Sequence, residues 1–262
     1  MSLLFGGLLF VLGVVGAFVS GLIGVGGAIV MIPLLLYVPP LLGVGRLDVK
    51  SVAAITMVQV FVASASGVFA HGRQRAINVR LAVTGGVAMA VGSLAGAVAS
   101  HWMLDSWLLL VFALMVTAAF VMMFLPTPQP DVTMPAEERH YSRGLTIMVA
   151  GSVGVAAGLV GAGGAFLLVP LLLVVVGVPI RVTIGSSLAM TALAASAGII
   201  GKFATGQVPL GPALIVALGA VPGAQLGAMA SRRLAGGALK GILFVVIVAT
   251  GIRVWWHALF GK

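Results

Sequence analysis

GLIGVGGAIVMIPLLL at Gly21–Leu36 and GLVGAGGAFLLVPLLL at Gly158–Leu173 are two copies of one phrase, identical at ten of sixteen positions. Such a match between two apolar stretches marks a tandem duplication. Each copy reads G-x-x-G-x-G-G, then an apolar run closed by Pro33 or Pro170. Glycine at Gly24, Gly26 and Gly27, and at Gly161, Gly163 and Gly164, permits positive φ and close backbone approach, so neither copy is expected to stay a plain helix. In a bilayer, irregular backbone is tolerated only where it is buried in protein or lines a cavity. Paired interruptions at matching places of two halves point to a binding site between them.

The surrounding composition is that of a membrane protein. Apolar residues make up 61% of the 262 positions and charged residues 7%; mean hydropathy is +1.25. Soluble domains carry roughly a quarter charged residues. The net charge of +9 comes mostly from cations flanking hydrophobic runs, where Lys and Arg fix topology, so no nucleic-acid partner is expected. Cysteine is absent, which excludes a disulfide framework and a thiolate metal site. The start, MSLLFGGLLF, lacks a basic region and reads as a retained membrane segment, not a cleaved leader.

Five apolar stretches recur in each half: Leu3–Ser20, Ala28–Tyr37, Val49–Ala70, Leu81–Ser100 and Trp107–Leu125, then Leu145–Ala157, Ala165–Val176, Val182–Gly201, Leu210–Ala230 and Leu239–Trp256. The glycine phrases lie 137 residues apart. A second match, VGSLAGAVAS at Val91–Ser100 with PGAQLGAMAS at Pro222–Ser231, has an offset of 131. The difference falls in the loop Pro39–Lys50, longer than its counterpart Gly177–Arg181. Pro126–Arg143 carries four prolines and three of the five acids and reads as an exposed cytoplasmic linker. The expected organisation is therefore a first transmembrane repeat over 1–125, a linker over 126–143 and a second repeat over 144–262.

A glycine-broken hairpin followed by three spans crosses the membrane an odd number of times, so the halves are expected to be inverted; if each phrase instead breaks one continuous helix, the halves are parallel and the cations divide less cleanly. Arg73, Arg75, Arg80, Arg139, Arg143, Arg181, Arg232, Arg233 and Lys240 then share one side; Arg46, Lys50, Lys202, Arg253 and Lys262 share the other. The first group is assigned to the cytoplasm and both termini to the outside. Four tryptophans, Trp102, Trp107, Trp255 and Trp256, sit at span ends as interfacial residues.

A helix beginning after each glycine turn would direct unpaired N–H groups, including those of Ala28 and Ala165, toward a common point. Two such starts make an anion site without a charged side chain. All five acids, Asp48, Asp105, Asp131, Glu137 and Glu138, fall in loops or at span ends, so no intramembrane carboxylate is available as proton relay or sodium ligand. Thr56 and Ser187 correspond at the offset of 131, with Ser186, Gln59 and Thr191 within a turn of them; their hydroxyls and amide would complete an oxyanion shell. His71 and Lys202 correspond at the far end of that span, where a cation would draw anions into a vestibule. Four scattered histidines and no HExxH give no metal site, no cofactor and no enzyme.

The duplicated GLxGxGGxxxxxP, with Gly185-Ser186-Ser187-Leu188 and the SAG turn at Ser196–Gly198, resembles the TauE/SafE sulfite exporter family. The first half departs from that pattern at Ala53-Ala54-Ile55-Thr56. The resemblance implies an inner-membrane permease for sulfite or an organosulfonate such as sulfoacetate. The resulting expectation is an all-α polytopic membrane protein with inverted repeats that exports a small sulfur oxyanion by alternating access, its partners being that solute and membrane lipid. The residues also admit a sodium or metal carrier built on backbone carbonyls, or a membrane assembly subunit with glycine-packed helices.

Overall fold

A computed structural model describes residues 3–23, 27–72, 78–125, 141–231, 234, 241–242, 244–252 and 255. Among these residues the structure is helical, without a strand. The elements are α1 (Leu3–Ile23), α2 (Ala28–Leu41), α3 (Val49–Gly72), α4 (Val79–Ala99), α5 (Asp105–Met123), α6 (Arg143–Val160), α7 (Ala165–Leu171, continued by a π-turn over Leu172–Val176), α8 (Ile180–Ala204) and α9 (Leu210–Ser231). A further helix, α10, runs over 244–252. Seven helices among the described residues are long and apolar enough to cross a bilayer, while α2 and α7 with its π-turn are shorter. The chain is a multi-pass membrane protein.

The boundaries that fall on described residues hold to within a few residues, with two differences of kind, and the ends of the expected stretch Leu239–Trp256 lie outside the described residues. The SAG triplet Ser196–Gly198 is not a turn but lies inside α8. α2 does not stop at Tyr37 but runs through Pro39 and Pro40 to Leu41. Proline's fixed φ is compatible with helix. The carbonyls of Val38, Pro39 and Pro40 then accept from Leu42, Val44 and Gly43, which closes the helix end. Residues 126–140 of the expected linker, together with Arg73 and Arg75, lie outside the described residues.

Small residues determine which helices touch. On α9, Leu210, Leu214, Leu218 and Leu226 are exposed on one face, while Gly219, Gly223 and Gly227 are turned against α1. A Cβ on Gly21 would land on the Ala224 carbonyl, one on Gly223 on the Val14 carbonyl, and one on Gly227 on that of Phe18. The α4–α6 pair repeats this contact for contact: Gly158 faces the Ser93 carbonyl, Gly92 that of Gly151, and Gly96 that of Val155. Each contact maps onto its counterpart through the two sequence offsets. Backbone-to-backbone approach of this kind is how helices associate where lipid removes the hydrophobic drive.

Between these pairs lie α3 and α8. Gly67 rests against Leu188 and Gly198 against Met57, so the two helices run in opposite directions.

Candidate functional site

Two interruptions of helix meet the α3–α8 pair. At the first, Gly27 caps α2 with φ of 70° and its carbonyl accepts from Val30 and Met31. Gly24 and Gly26 lie outside the described residues. At the second, Gly161 ends α6 with φ of 77°, and Gly163 and Gly164 follow at 60° and 72°. Gly164 caps α7 and accepts from Leu167 and Leu168. These left-handed values strain any L side chain. The opening N–H groups of each helix, those of Ala28 and Ile29 and of Ala165 and Phe166, precede the first intrahelical donor and have no acceptor within the helix.

The walls of the two turns differ. A Cβ on Gly27 would meet the Gly16 carbonyl, Ser20 and the Gln59 amide nitrogen at 3.2 Å. One on Gly164 would meet Val153, Ala157 and the Met89 methyl. Gly16 and Ser20 correspond to Val153 and Ala157 at the motif offset, so the same place is polar in the first half and apolar in the second. Gly163 lies on Val60 and Thr191, and Val60 is the neighbour of Gln59. A Cβ on Gly161 would strike the Ala53 carbonyl, which sets the end of α6 against α3 one turn before Thr56.

Around these turns lie polar atoms without a protein partner. Ser20 Oγ, Thr56 Oγ1, both amide atoms of Gln59, and Thr191 Oγ1 are buried and unbonded, and all four residues are 0% exposed. An orphaned buried polar group costs about 1–3 kcal/mol, so these four residues are the candidates for a solute site. Ser93 Oγ is also unbonded; it lies against Gly198, where Met57, the chain neighbour of Thr56, also packs.

Other expected residues are placed differently. The Ser187 hydroxyl donates to the Ile184 carbonyl of its own helix at 3.1 Å, whereas its counterpart Thr56 is free. Ser186 Oγ accepts from the Asn78 N–H at 3.2 Å, which ties α8 to the start of α4. The backbone of His71 lies in the last turn of α3; its side chain lies outside the described ones. Lys202 is 0% exposed. Its ammonium donates to Ser100 Oγ at 2.7 Å, Gln207 Oε1 at 3.2 Å and the Leu159 carbonyl at 3.3 Å. It therefore faces protein oxygens, not an open vestibule. Gln207 in turn donates to Thr205 and the Ala97 carbonyl.

Reading the sequence alone passes over Ser20 and this lysine network. A signal for Ser20 exists: it is a hydroxyl where the second copy has Ala157. Ser100 and Gln207 stand at span ends, where polar residues are ordinary.

At the same end of the molecule as Lys202, Lys50 donates to the His101 carbonyl at 2.7 Å. Beside it Asp48 starts α3, accepting from the Ser51 N–H at 3.0 Å. Burial raises the Asp48 carboxyl, but the bonds from Ser51 and the Lys50 charge outweigh it and hold the group below its ordinary 3.8. At the other end Arg80, Arg143, Asn78 and Tyr141 line one small cleft. No cluster of three His, Cys, Asp or Glu suited to a metal occurs among the described residues.

A bundle of apolar helices with interrupted segments around enclosed, unpaired polar groups defines a membrane transporter class, and sequence comparison agrees. Residues 9–254 match the family described as Sulfite exporter TauE/SafE, and the chain belongs to that family. It is similar to the "Probable membrane transporter protein YunE" of Bacillus subtilis (strain 168), 25% identical over 97% of this chain and 98% of that protein. Two proteins of Xylella fastidiosa, each named "Probable membrane transporter protein", are 29% identical (strain Temecula1 / ATCC 700964) and 27% identical (strain 9a5c), each over 94% of this chain and 93% of the relative. No solved structure matches the chain.

Proposed function

We propose that the chain is an inner-membrane permease that exports a small sulfur oxyanion, sulfite or an organosulfonate such as sulfoacetate, by alternating access between two inverted repeats. The observation that carries the reading is the set of orphaned, fully buried atoms on Ser20, Thr56, Gln59 and Thr191 beside the two glycine turns. Hydroxyl and amide hydrogens there, with the free N–H groups after Gly27 and Gly164, suit an oxyanion.

The inverted arrangement draws support from the opposed directions of α3 and α8 and from the matched α1–α9 and α4–α6 contacts. Cation placement agrees with it: Lys50 lies near His101 and Lys202 near Ser100 at one end, and Arg80 and Arg143 share a cleft at the other. In alternating access the glycine turns would separate from α3 and α8 on one side and then on the other. Ser186, bonded to Asn78 across α4 and α8, and Ser187 would join the shell only when those helices shift. Lys202 would meet an anion only after leaving Ser100, Gln207 and Leu159, so its vestibule role, with His71, belongs to an open state. Outward movement of an anion is aided by an interior-negative potential, about 2.3 kcal/mol per charge per 100 mV, and needs no coupling ion.

Ligand stabilisation tests the reading, because a ligand that binds only the folded state raises its melting temperature. Sulfite or a small sulfonate is expected to stabilise the purified protein, and divalent cations are not. In proteoliposomes, sulfite flux should persist without a proton or sodium gradient. Stabilisation by cations alone, or flux that stops when both gradients are removed, refutes it.

A further inference from the structure

The donor set also fixes the charge of the guest. We infer that the site accepts its oxyanion as a monoanion and rejects the dianion, so that sulfite is carried as hydrogen sulfite and, of the solutes proposed above, sulfoacetate with its second, carboxylate charge is excluded; this rests on the oxyanion reading above.

The unbonded groups are the hydroxyls of Ser20, Thr56 and Thr191 and the amide of Gln59. All are neutral. Together they present five polar hydrogens, three O–H and two N–H, besides the backbone N–H groups at the turns. Lys202 is the one charged side chain among the described buried residues, and its three hydrogens are taken by Ser100, Gln207 and Leu159. It stands eleven residues beyond Thr191 on α8, about 16 Å along the helix. Lys50 lies six residues before Thr56 on α3, about 9 Å, with its ammonium on the His101 carbonyl. His71 follows Gln59 by twelve residues on α3, about 18 Å. Arg80 and Arg143 are exposed at the opposite end. No full positive charge from any packed element among the described residues therefore touches the site.

The cost of removing an ion from water grows as the square of its charge, so a dianion of equal size costs about four times as much as a monoanion. The return from neutral donors grows only in proportion to the charge. A neutral-donor site buried in protein thus discriminates by charge before it discriminates by shape. Arginine forks and lysine charges strengthen sites for multiply charged oxyanions, and no such side chain touches this region among its described residues. Both turns point the same way. The Gly16 carbonyl, Ser20 and Gln59 surround Gly27, while Val153, Ala157 and Met89 line Gly164; the polar groups at the second turn, the Thr191 hydroxyl beside Gly163 and the opening N–H groups of α7, are again neutral.

Sulfite suits a decisive test because its second ionisation falls near neutral pH, and the chain has no cysteine to react with it. Binding to the purified full-length protein is measured by calorimetry and thermal shift, from one pH unit below to one unit above that ionisation. Methanesulfonate, a monoanion throughout, serves as control and reads out any titration of the protein itself; sulfate is the dianion of similar shape. The expected result is an apparent sulfite affinity that falls about tenfold per pH unit above the ionisation, a flat response to methanesulfonate, and no binding of sulfate. Sulfite affinity that is flat or rises with pH, or sulfate that competes as well as methanesulfonate, overturns the inference while leaving an oxyanion carrier intact. No response to either sulfite or methanesulfonate overturns both.

Discussion

Replacing Gln59 by methionine should make the empty protein more stable and unable to bind. The second repeat places Met190 at the matching position, so Gln59→Met introduces a side chain the architecture already uses. Gln59 is 0% exposed, and neither amide atom has a protein partner. An orphaned buried polar group costs about 1–3 kcal/mol, and methionine adapts to irregular space without polar demands. The expected gain in the ligand-free state is about 1–3 kcal/mol. At roughly 2–4 °C per kcal/mol for a chain of this size, that is a rise of several degrees in melting temperature. The assay is thermal unfolding of wild type and variant in one detergent, with and without sulfite. Wild type should gain from sulfite; the variant should start higher and not respond. A variant that melts below wild type would show that the amide is paired and structural. One that keeps its ligand response would remove Gln59 from the site.

Thr56→Val should abolish the ligand response, whereas Ser187→Ala at the matching position should leave it unchanged, because only the Ser187 hydroxyl is satisfied by its own helix; binding calorimetry separates them. Gly21→Val and Gly158→Val should be about equally damaging, each by about 1–3 kcal/mol or more, since their side chains would land on the Ala224 and Ser93 carbonyls. Gly7→Ala, with nothing within 4 Å, should stabilise by roughly 0.5–1 kcal/mol; melting curves of the three variants compare the sites directly. Asp48→Ala should cost about 0.5–2 kcal/mol as a lost helix cap. Because the folded Asp48 carboxyl is held below 3.8, its contribution is present above the unfolded value and disappears as pH falls through the folded one, so the melting temperatures of wild type and Asp48→Ala should converge on acidification below about pH 4.

The spans are legible in the sequence because their length and apolarity are set by the bilayer, and the duplication is legible because one glycine phrase occurs twice. The two offsets indicate which contacts are equivalent before any helix is placed. The end of α2 is not legible: Pro39-Pro40 reads as a stop, yet the turn Leu42–Val44 takes up the carbonyls left at the helix end. The π-turn at Leu172–Val176 has no local sequence signal, since the same Pro-Leu-Leu-Leu stays α-helical in the first half. Thr56, Gln59 and the glycine turns stand out by their chemistry and spacing. Ser20 does not, because a lone serine in a glycine-rich helix ordinarily packs or bonds its own backbone, and only the distances around Gly27 distinguish it. Lys202 stands out as a cation at matching positions of the two halves, but its enclosure depends on Ser100 and Gln207, brought together from the ends of different helices.

Divergence between the repeats explains how a nearly symmetric scaffold can hold an asymmetric guest. The contacts that bring the halves together, glycine against carbonyl on α1–α9 and α4–α6, are kept position for position. A change there would push a helix pair apart along its whole length. The positions facing the turns are free of that constraint, and there the halves differ: Ser20 against Ala157, Gln59 against Met190, Val60 against Thr191. Of the orphaned side chains at the turns, Ser20, Thr56 and Gln59 come from the first half and Thr191 from the second; Ser93, orphaned against Gly198, belongs to the first half as well. Transferring the polar set should therefore transfer the site. Ala157→Ser with Met89→Gln would place a hydroxyl and an amide beside Gly164, the amide reaching it from α4 where Gln59 reaches Gly27 from α3. In a Gln59→Met background, that pair should restore some of the sulfite response if N–H groups at either turn can serve. A response that returns only with Gln59 itself would assign the first turn alone as the anion's seat.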